Sequence, residues 1–157
     1  MKKLDLQTET NLLLAKQIID GYSNGSDIID WTLLLIKNGY SSENLYILAG
    51  LEDNDSWNID NYFKKVIDDL NIDSNINKKD LLDFYLIYHI KASINNPLIL
   101  DETIYLLTEV IYNTSYYLSK HLNFFFLYDE LEELTGIKRE EYALSKFKAF
   151  IDELESK

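Results

Sequence analysis

Cysteine is absent from this sequence, and proline, arginine and histidine are close to absent. Without a thiol, disulfide frameworks, thiolate nucleophiles and Cys-ligated zinc or iron–sulfur sites are excluded, and a reducing compartment is compatible. A single proline (Pro97) and five glycines leave few helix breakers, so long uninterrupted helices can form. The glycines stand singly, so no Gly-rich phosphate loop exists. One arginine (Arg139) against fourteen lysines removes the usual bidentate phosphate fork. Only His89 and His121 could serve as imidazole base or metal ligand. Neither has a carboxylate three or four residues away, and the Glu-x-x-His of helical di-iron bundles is missing. Each histidine reads as a part-buried helix residue with one hydrogen-bond partner.

Long apolar runs are missing too. Met1-Lys2-Lys3 is followed by Asp5, Gln7 and Glu9, where a secretory signal would place its apolar stretch. The longest runs, Phe124 to Tyr128 among them, fall far below the roughly 18 residues of a membrane span. The expectation is a cytoplasmic protein with no membrane partner. Abundant Asn, Ile, Lys and Tyr resemble the coding habits of an AT-rich bacterial genome.

What is present is apolar and acidic. A hydrophobic fraction of 46% and 13% aromatics over 157 residues are enough for one packed domain spanning 1–157. Alternation of apolar and polar residues is nowhere sustained, so no strand is expected. Helical spacing recurs instead. Leu12 to Ile19 follows Thr8 and Thr10 as candidate caps and stops near Gly21. Ser26 is the expected cap of a helix through Ile28, Trp31, Leu34 and Leu35 that ends at Gly39. Ser41 or Ser42 starts a short helix, and Asn58 to Leu70 carries Ile59, Tyr62, Phe63, Val66, Ile67 and Leu70 at spacings of three and four. Asn77 with Asp80 resembles a capping box for Leu81 to Ile94, whose predicted stripe is Leu81, Tyr85, Tyr88 and Ala92. Asn95-Asn96-Pro97 ends that helix. Asp101 is the expected cap of a helix through Ile104, Leu107, Val110 and Ile111, with Asn113 to Ser115 as an interruption. Helical stretches through Leu118 and Leu122 and around Leu127 to Leu134 follow, the latter ending at Gly136. The last helix, Lys138 to Glu155, has Ala143, Phe147, Phe150, Ile151 and Leu154 on one face. The fold class is all-α: an irregular bundle of seven to eight amphipathic helices.

The net charge is −12. Such a surface repels nucleic acid phosphates and anionic membranes, and favours encounter with a basic protein. Asp73-Ser74-Asn75-Ile76-Asn77 matches the first ligand positions of an EF-hand, but Lys78 stands where glycine is required and Phe84 where glutamate is. Glu52-Asp53-Asn54-Asp55 fails similarly, so both loops read as turns that start helices. The acidic clusters Asp68-Asp69, Asp129-Glu130 with Glu132-Glu133, and Asp152-Glu153 with Glu155 fall on polar helix faces. There they suit recognition better than acid–base work. Ser41, Ser42 and Ser93 have no nucleophile-elbow context. Between Tyr105 and Tyr128 the chain holds Tyr112, Tyr116, Tyr117, Phe124, Phe125 and Phe126. Successive residues are about 100° apart on a helix, so three adjacent phenylalanines cannot all face one core. Packing on both sides is the favoured reading of this segment, and an aromatic interface the other.

The strings Ile47-Leu48-Ala49-Gly50-Leu51, Tyr62-Phe63-Lys64-Lys65, Tyr88-His89-Ile90-Lys91-Ala92, Ile104-Tyr105 and Leu127-Tyr128-Asp129-Glu130-Leu131 span about two-thirds of the chain. In them the sequence resembles a family of small, uncharacterised, all-helical bacterial proteins of immunity-like character. Its motifs are apolar helix faces and helix-ending turns. The resemblance implies a helical fold and a binding role, with no catalytic residue to carry over. The function expected is a non-enzymatic protein-binding domain, an immunity protein that neutralises a basic bacterial toxin. Its expected partner-binding residues are Asp129, Glu130, Glu132, Glu133, Phe125 and Tyr128, with no cofactor, metal or catalytic group. The alternative is an adaptor that self-associates through its aromatic segment, and an enzyme with carboxylates or a histidine in an unrecognised pocket comes third.

Overall fold

A computed structural model describes residues 4–114 and 127–156, with the side chain of Tyr128 excepted. Among the described residues there are eight α-helices and no strand: α1 (Leu6–Asp20), α2 (Gly25–Lys37), α3 (Glu43–Ala49), α4 (Ser56–Asp69), α5 (Lys78–Asn95), α6 (Leu100–Asn113), α7 (Leu127–Glu132) and α8 (Gly136–Glu155). A 3-10 turn, Pro97–Ile99, leads into α6. The all-α reading is therefore correct. The described chain divides into two compact units, residues 1–81 and 82–157, the boundary falling in the first turn of α5. No described helix is long and apolar enough to cross a membrane.

The helix starts follow local hydrogen-bond chemistry more closely than the apolar pattern does. Asp5, not Thr8 or Thr10, caps α1: its carboxylate accepts from the Gln7 N–H at 3.2 Å and from the Thr8 hydroxyl at 2.7 Å. Thr10 lies inside the helix and returns its hydroxyl to the Leu6 carbonyl at 2.8 Å. Asn24 rather than Ser26 caps α2, accepting from the Ser26 N–H at 3.0 Å. Ser42 caps α3 and Asp55 caps α4. Asn77 accepts from the Asp80 N–H at 2.9 Å while its amide donates to the Asp80 carboxylate at 2.6 Å, a capping box closed side chain to side chain. Asp101 caps nothing, because the 3-10 turn runs straight into α6 and moves the helix start to Leu100. Gly136 begins α8 rather than ending α7; its φ of +58° is tolerated because glycine has no Cβ.

In the first unit α3 packs on α4 and α2, and α1 on α2. The shared core contains Leu13, Ile28, Trp31, Leu35, Leu45, Leu48, Ile59, Val66 and Ile67. Trp31 meets Phe63 edge-on, with centroids 5.2 Å apart, in a favoured aromatic geometry. Lys16 of α1 pairs with Asp27 at the start of α2 and lies 3.6 Å from Asp20. The hydrogen bond to Asp27 holds its ammonium above the ordinary lysine range.

In the second unit α7 packs on α8. Arg139 ties α8 to Asp101 of α6 at 2.6 Å, and Lys91 of α5 pairs with Glu155. The α8 face expected from sequence is buried at all five positions. In α5 the expected stripe is misplaced: Tyr88 is exposed, while Leu82, Leu86, Ile90 and Ser93 are buried beside Leu81 and Tyr85. This helix is apolar around most of its circumference, so period alone cannot select its inner face.

Gly25 is the most closely approached of the glycines. A Cβ there would stand 2.1 Å from the Asp53 carbonyl oxygen and 2.9 Å from the Ile59 side-chain tip. Backbone is the obstacle, and backbone cannot rotate away. Gly25→Ala is expected to destabilise the protein by about 1–3 kcal/mol, the usual range for overpacking. Gly21→Ala meets no neighbour and is expected to cost less, about 1 kcal/mol, through its positive φ alone. Denaturant midpoints of the two variants test the ordering.

Candidate functional site

Two places on the described surface combine exposure with chemistry. The first holds the sequence-expected acidic group. Leu127 and Leu131, one helical turn apart, are buried and fix the orientation of α7. Asp129, Glu130 and Glu132 are thereby turned to solvent, as is Glu133 just past the helix end. Glu130 accepts a hydrogen bond from the Tyr142 hydroxyl of α8 at 2.8 Å. Among the described residues none of the four carboxylates has an ion-pair partner. Phe125 and the side chain of Tyr128, expected to join them, lie outside the described residues. So do His121 and the aromatic run Phe124 to Phe126. Of the aromatic segment, Tyr105 and Tyr112 on α6 are described, and both are exposed, at 63% and 72%. Seven residues apart, they share one outward face. Ile104, Leu107, Val110 and Ile111 fill the inner face of the same helix, and the choice between packing and interface at Phe124 to Phe126 falls outside the described residues. Glu109 lies between the two tyrosines, and its hydrogen bond with the Tyr105 hydroxyl raises that phenol above its ordinary range.

The second place is a cleft of about 510 Å³ in the first unit. Its floor is Phe63 and Ile67, and its rim carries Gln17, Ser23, Asp60, Lys64, Asp68 and Ser74. Asp60, Lys64 and Asp68 are successive turns of one face of α4. Ser23, in the turn after α1, stands between Gln17 at 3.4 Å and Asp60 at 3.5 Å. A smaller hollow of about 300 Å³ adjoins Asp60 and Lys64 and is bordered by Trp57, which is 77% exposed. A further hollow of about 300 Å³ shares Gln17, Ser23 and Ser74 and reaches Tyr22. Phe63 and Ile67 belong to the apolar stripe of α4, and Asp60, Lys64 and Asp68 beside it look merely solvated, so sequence reasoning missed this groove. Asp68 drew attention only as half of an acidic pair. The separate turns that bring Ser23 and Ser74 to α4 have no local signature.

The EF-hand-like loop has another job. Gln7 of α1 clasps the backbone of Asp73, accepting from its N–H at 3.0 Å and donating to its carbonyl at 2.8 Å. The Asp73 carboxylate accepts from the Asn75 N–H at 3.0 Å, which makes an Asx turn. No group of three or more His, Asp or Glu able to hold a metal ion occurs among the described residues. No family model, curated protein or solved structure matches this chain.

His89 lies half-buried on α5, with its ring edge-on to Tyr85 at 4.4 Å and to Tyr88 at 5.3 Å. Burial penalises the imidazolium and lowers its pKa below 6.5. The unfolded chain therefore takes up this proton more readily than the folded one. Stability linked to His89 is complete above pH 6.5 and is lost as pH falls through the lower folded value. Imidazole NMR resonances followed against pH, with His89→Gln to assign the signal, should give a midpoint below 6.5. A midpoint at or above that value would contradict the burial.

Proposed function

We propose that this protein is a non-enzymatic binding protein that captures a basic protein partner, an immunity-type protein that neutralises a bacterial toxin. The observation that carries the reading is the set of exposed carboxylates Asp129, Glu130, Glu132 and Glu133, which have no cation beside them among the described residues. The excess negative charge is also general. Residues 1–81 hold fourteen carboxylates against eight lysines, and residues 82–157 hold thirteen against seven cations, so each part carries −6. Like charges gathered on a surface cost stability through mutual repulsion, and a partner of opposite sign relieves it. The same field speeds encounter with such a partner.

Affinity capture from the native host at low and high salt tests this. The expected result is a basic protein that is retained at low salt and released as salt rises. Replacing all four residues (Asp129→Asn, Glu130→Gln, Glu132→Gln, Glu133→Gln) should weaken capture about tenfold or more while changing stability by only about 1 kcal/mol. Retention that is insensitive to salt, or unchanged by the four replacements, would sink the reading.

The outward-facing Tyr105 and Tyr112 favour a second reading, an adaptor that self-associates through α6. Tyrosine supplies large, rigid contact area at interfaces. Light scattering should then show a dimer that Tyr105→Ser with Tyr112→Ser converts to monomer. A wild-type monomer at high concentration would exclude it.

A further inference from the structure

We propose that the cleft beside α4 seats an extended segment of the basic protein partner. Two cationic side chains four residues apart meet Asp60 and Asp68, and an apolar side chain midway between them rests on Phe63 and Ile67. This rests on the reading of the chain as a captor of a basic protein, and it names a contact separate from the carboxylates of α7.

The spacing comes from the helix. Asp60 and Asp68 are eight residues apart on α4, which at the helical rise is about 12 Å. An extended segment advances about 13 Å in four residues, and its first, third and fifth side chains point the same way. A helical segment covers only about 6 Å in four residues and would need its cations about eight residues apart to match the two carboxylates. Phe63 and Ile67 lie between the two acids in sequence and line the same cleft, so the middle side chain of the three is the one set against them. Lys64 stands between the two aspartates on the same face, yet forms no ion pair with either among the described residues. Both carboxylates thus keep room for an external cation, and the Lys64 ammonium is placed to donate to a main-chain carbonyl of the segment. Trp57 at the end of the groove offers a ring face to a cation or an apolar neighbour. A second copy of this chain is a poor occupant. Nowhere in the sequence do two basic residues stand four apart.

The test uses the full chain and capped synthetic peptides, with Trp57 as reporter. The second tryptophan, Trp31, is buried, and a Trp57→Phe variant assigns the signal. A peptide with the order Arg-Ser-Leu-Ser-Arg should shift the Trp57 emission saturably, and added salt should weaken that response. Two controls, Glu-Ser-Leu-Ser-Glu and the rearranged Arg-Arg-Ser-Leu-Ser, should bind much more weakly. Asp60→Asn combined with Asp68→Asn should weaken binding of the first peptide about tenfold, with the helical circular dichroism unchanged. No saturable response to the first peptide, equal binding of the rearranged one, or an unaffected double variant would each overturn the proposal. Its failure is distinguishable from that of the wider reading. If the double variant captures the basic partner as wild type does, the cleft is eliminated and the wider reading stands. If the peptide binds but the host yields no basic partner, the wider reading falls.

Discussion

At Gly25 the start of α2 is pressed so closely against the Asp53 carbonyl that no side chain could be interposed. That contact sets how deeply α2 enters the first unit. It brings Ile28, Trp31 and Leu35 into the core formed with α3 and α4, and Trp31 against Phe63. Phe63 is in turn the floor of the cleft. One close approach of backbone therefore positions both the core and the surface feature on its other side. The depth has a cost. The Trp31 indole N–H is buried with no acceptor among the described residues, an arrangement usually worth about 1–3 kcal/mol of lost stability. Shape complementarity against Phe63 offsets it, since close aromatic packing contributes about 0.5–1.5 kcal/mol beyond area burial.

The two parts of the chain handle charge in different ways. In the first, Lys16 is committed to Asp27 and Asp20, Asp69 accepts from Asn44, and Asp5, Asp55 and Asp73 satisfy backbone N–H groups. Many of its carboxylates are thus structural. In the second, Arg139 and Lys91 are spent on Asp101 and Glu155, and the acids of α7 stay in solvent. A carboxylate that caps a helix is held in place and screened by the dipole it faces. Those of α7 lie on an exposed helix face and cap nothing among the described residues. The same residue type therefore occurs in two settings, and local backbone geometry separates them.

Much of this was legible before any coordinates. The inner faces of α2, α4, α6 and α8 follow directly from spacings of three and four, and α8 is buried at each position its periodicity names. The boundaries at Gly21, Gly39 and Pro97 follow from conformational limits of single residues. Legibility failed where chemistry was degenerate. Asp5 competes with Thr8 and Thr10 for one cap, and Asn24 with Ser26 for another. All these types accept N–H bonds, so only the backbone trajectory selects the winner. In α5 apolar residues surround the helix, and only the structure shows Tyr88 exposed while Leu82, Leu86 and Ile90 are buried.

The amino-acid order alone determined that this chain is helical, acidic and free of thiol chemistry, because propensity, periodicity and charge are local and additive. It also placed the acids of α7 on an outward face, since Leu127 and Leu131 define the inward one. Only the tertiary structure brought Gln17, Ser23 and Ser74 to α4 and opened a groove beside Asp60 and Asp68. Those residues lie far apart along the chain, and their meeting depends on how loops close and how tightly Gly25 lets two backbones approach. No pattern of nearest neighbours encodes that distance.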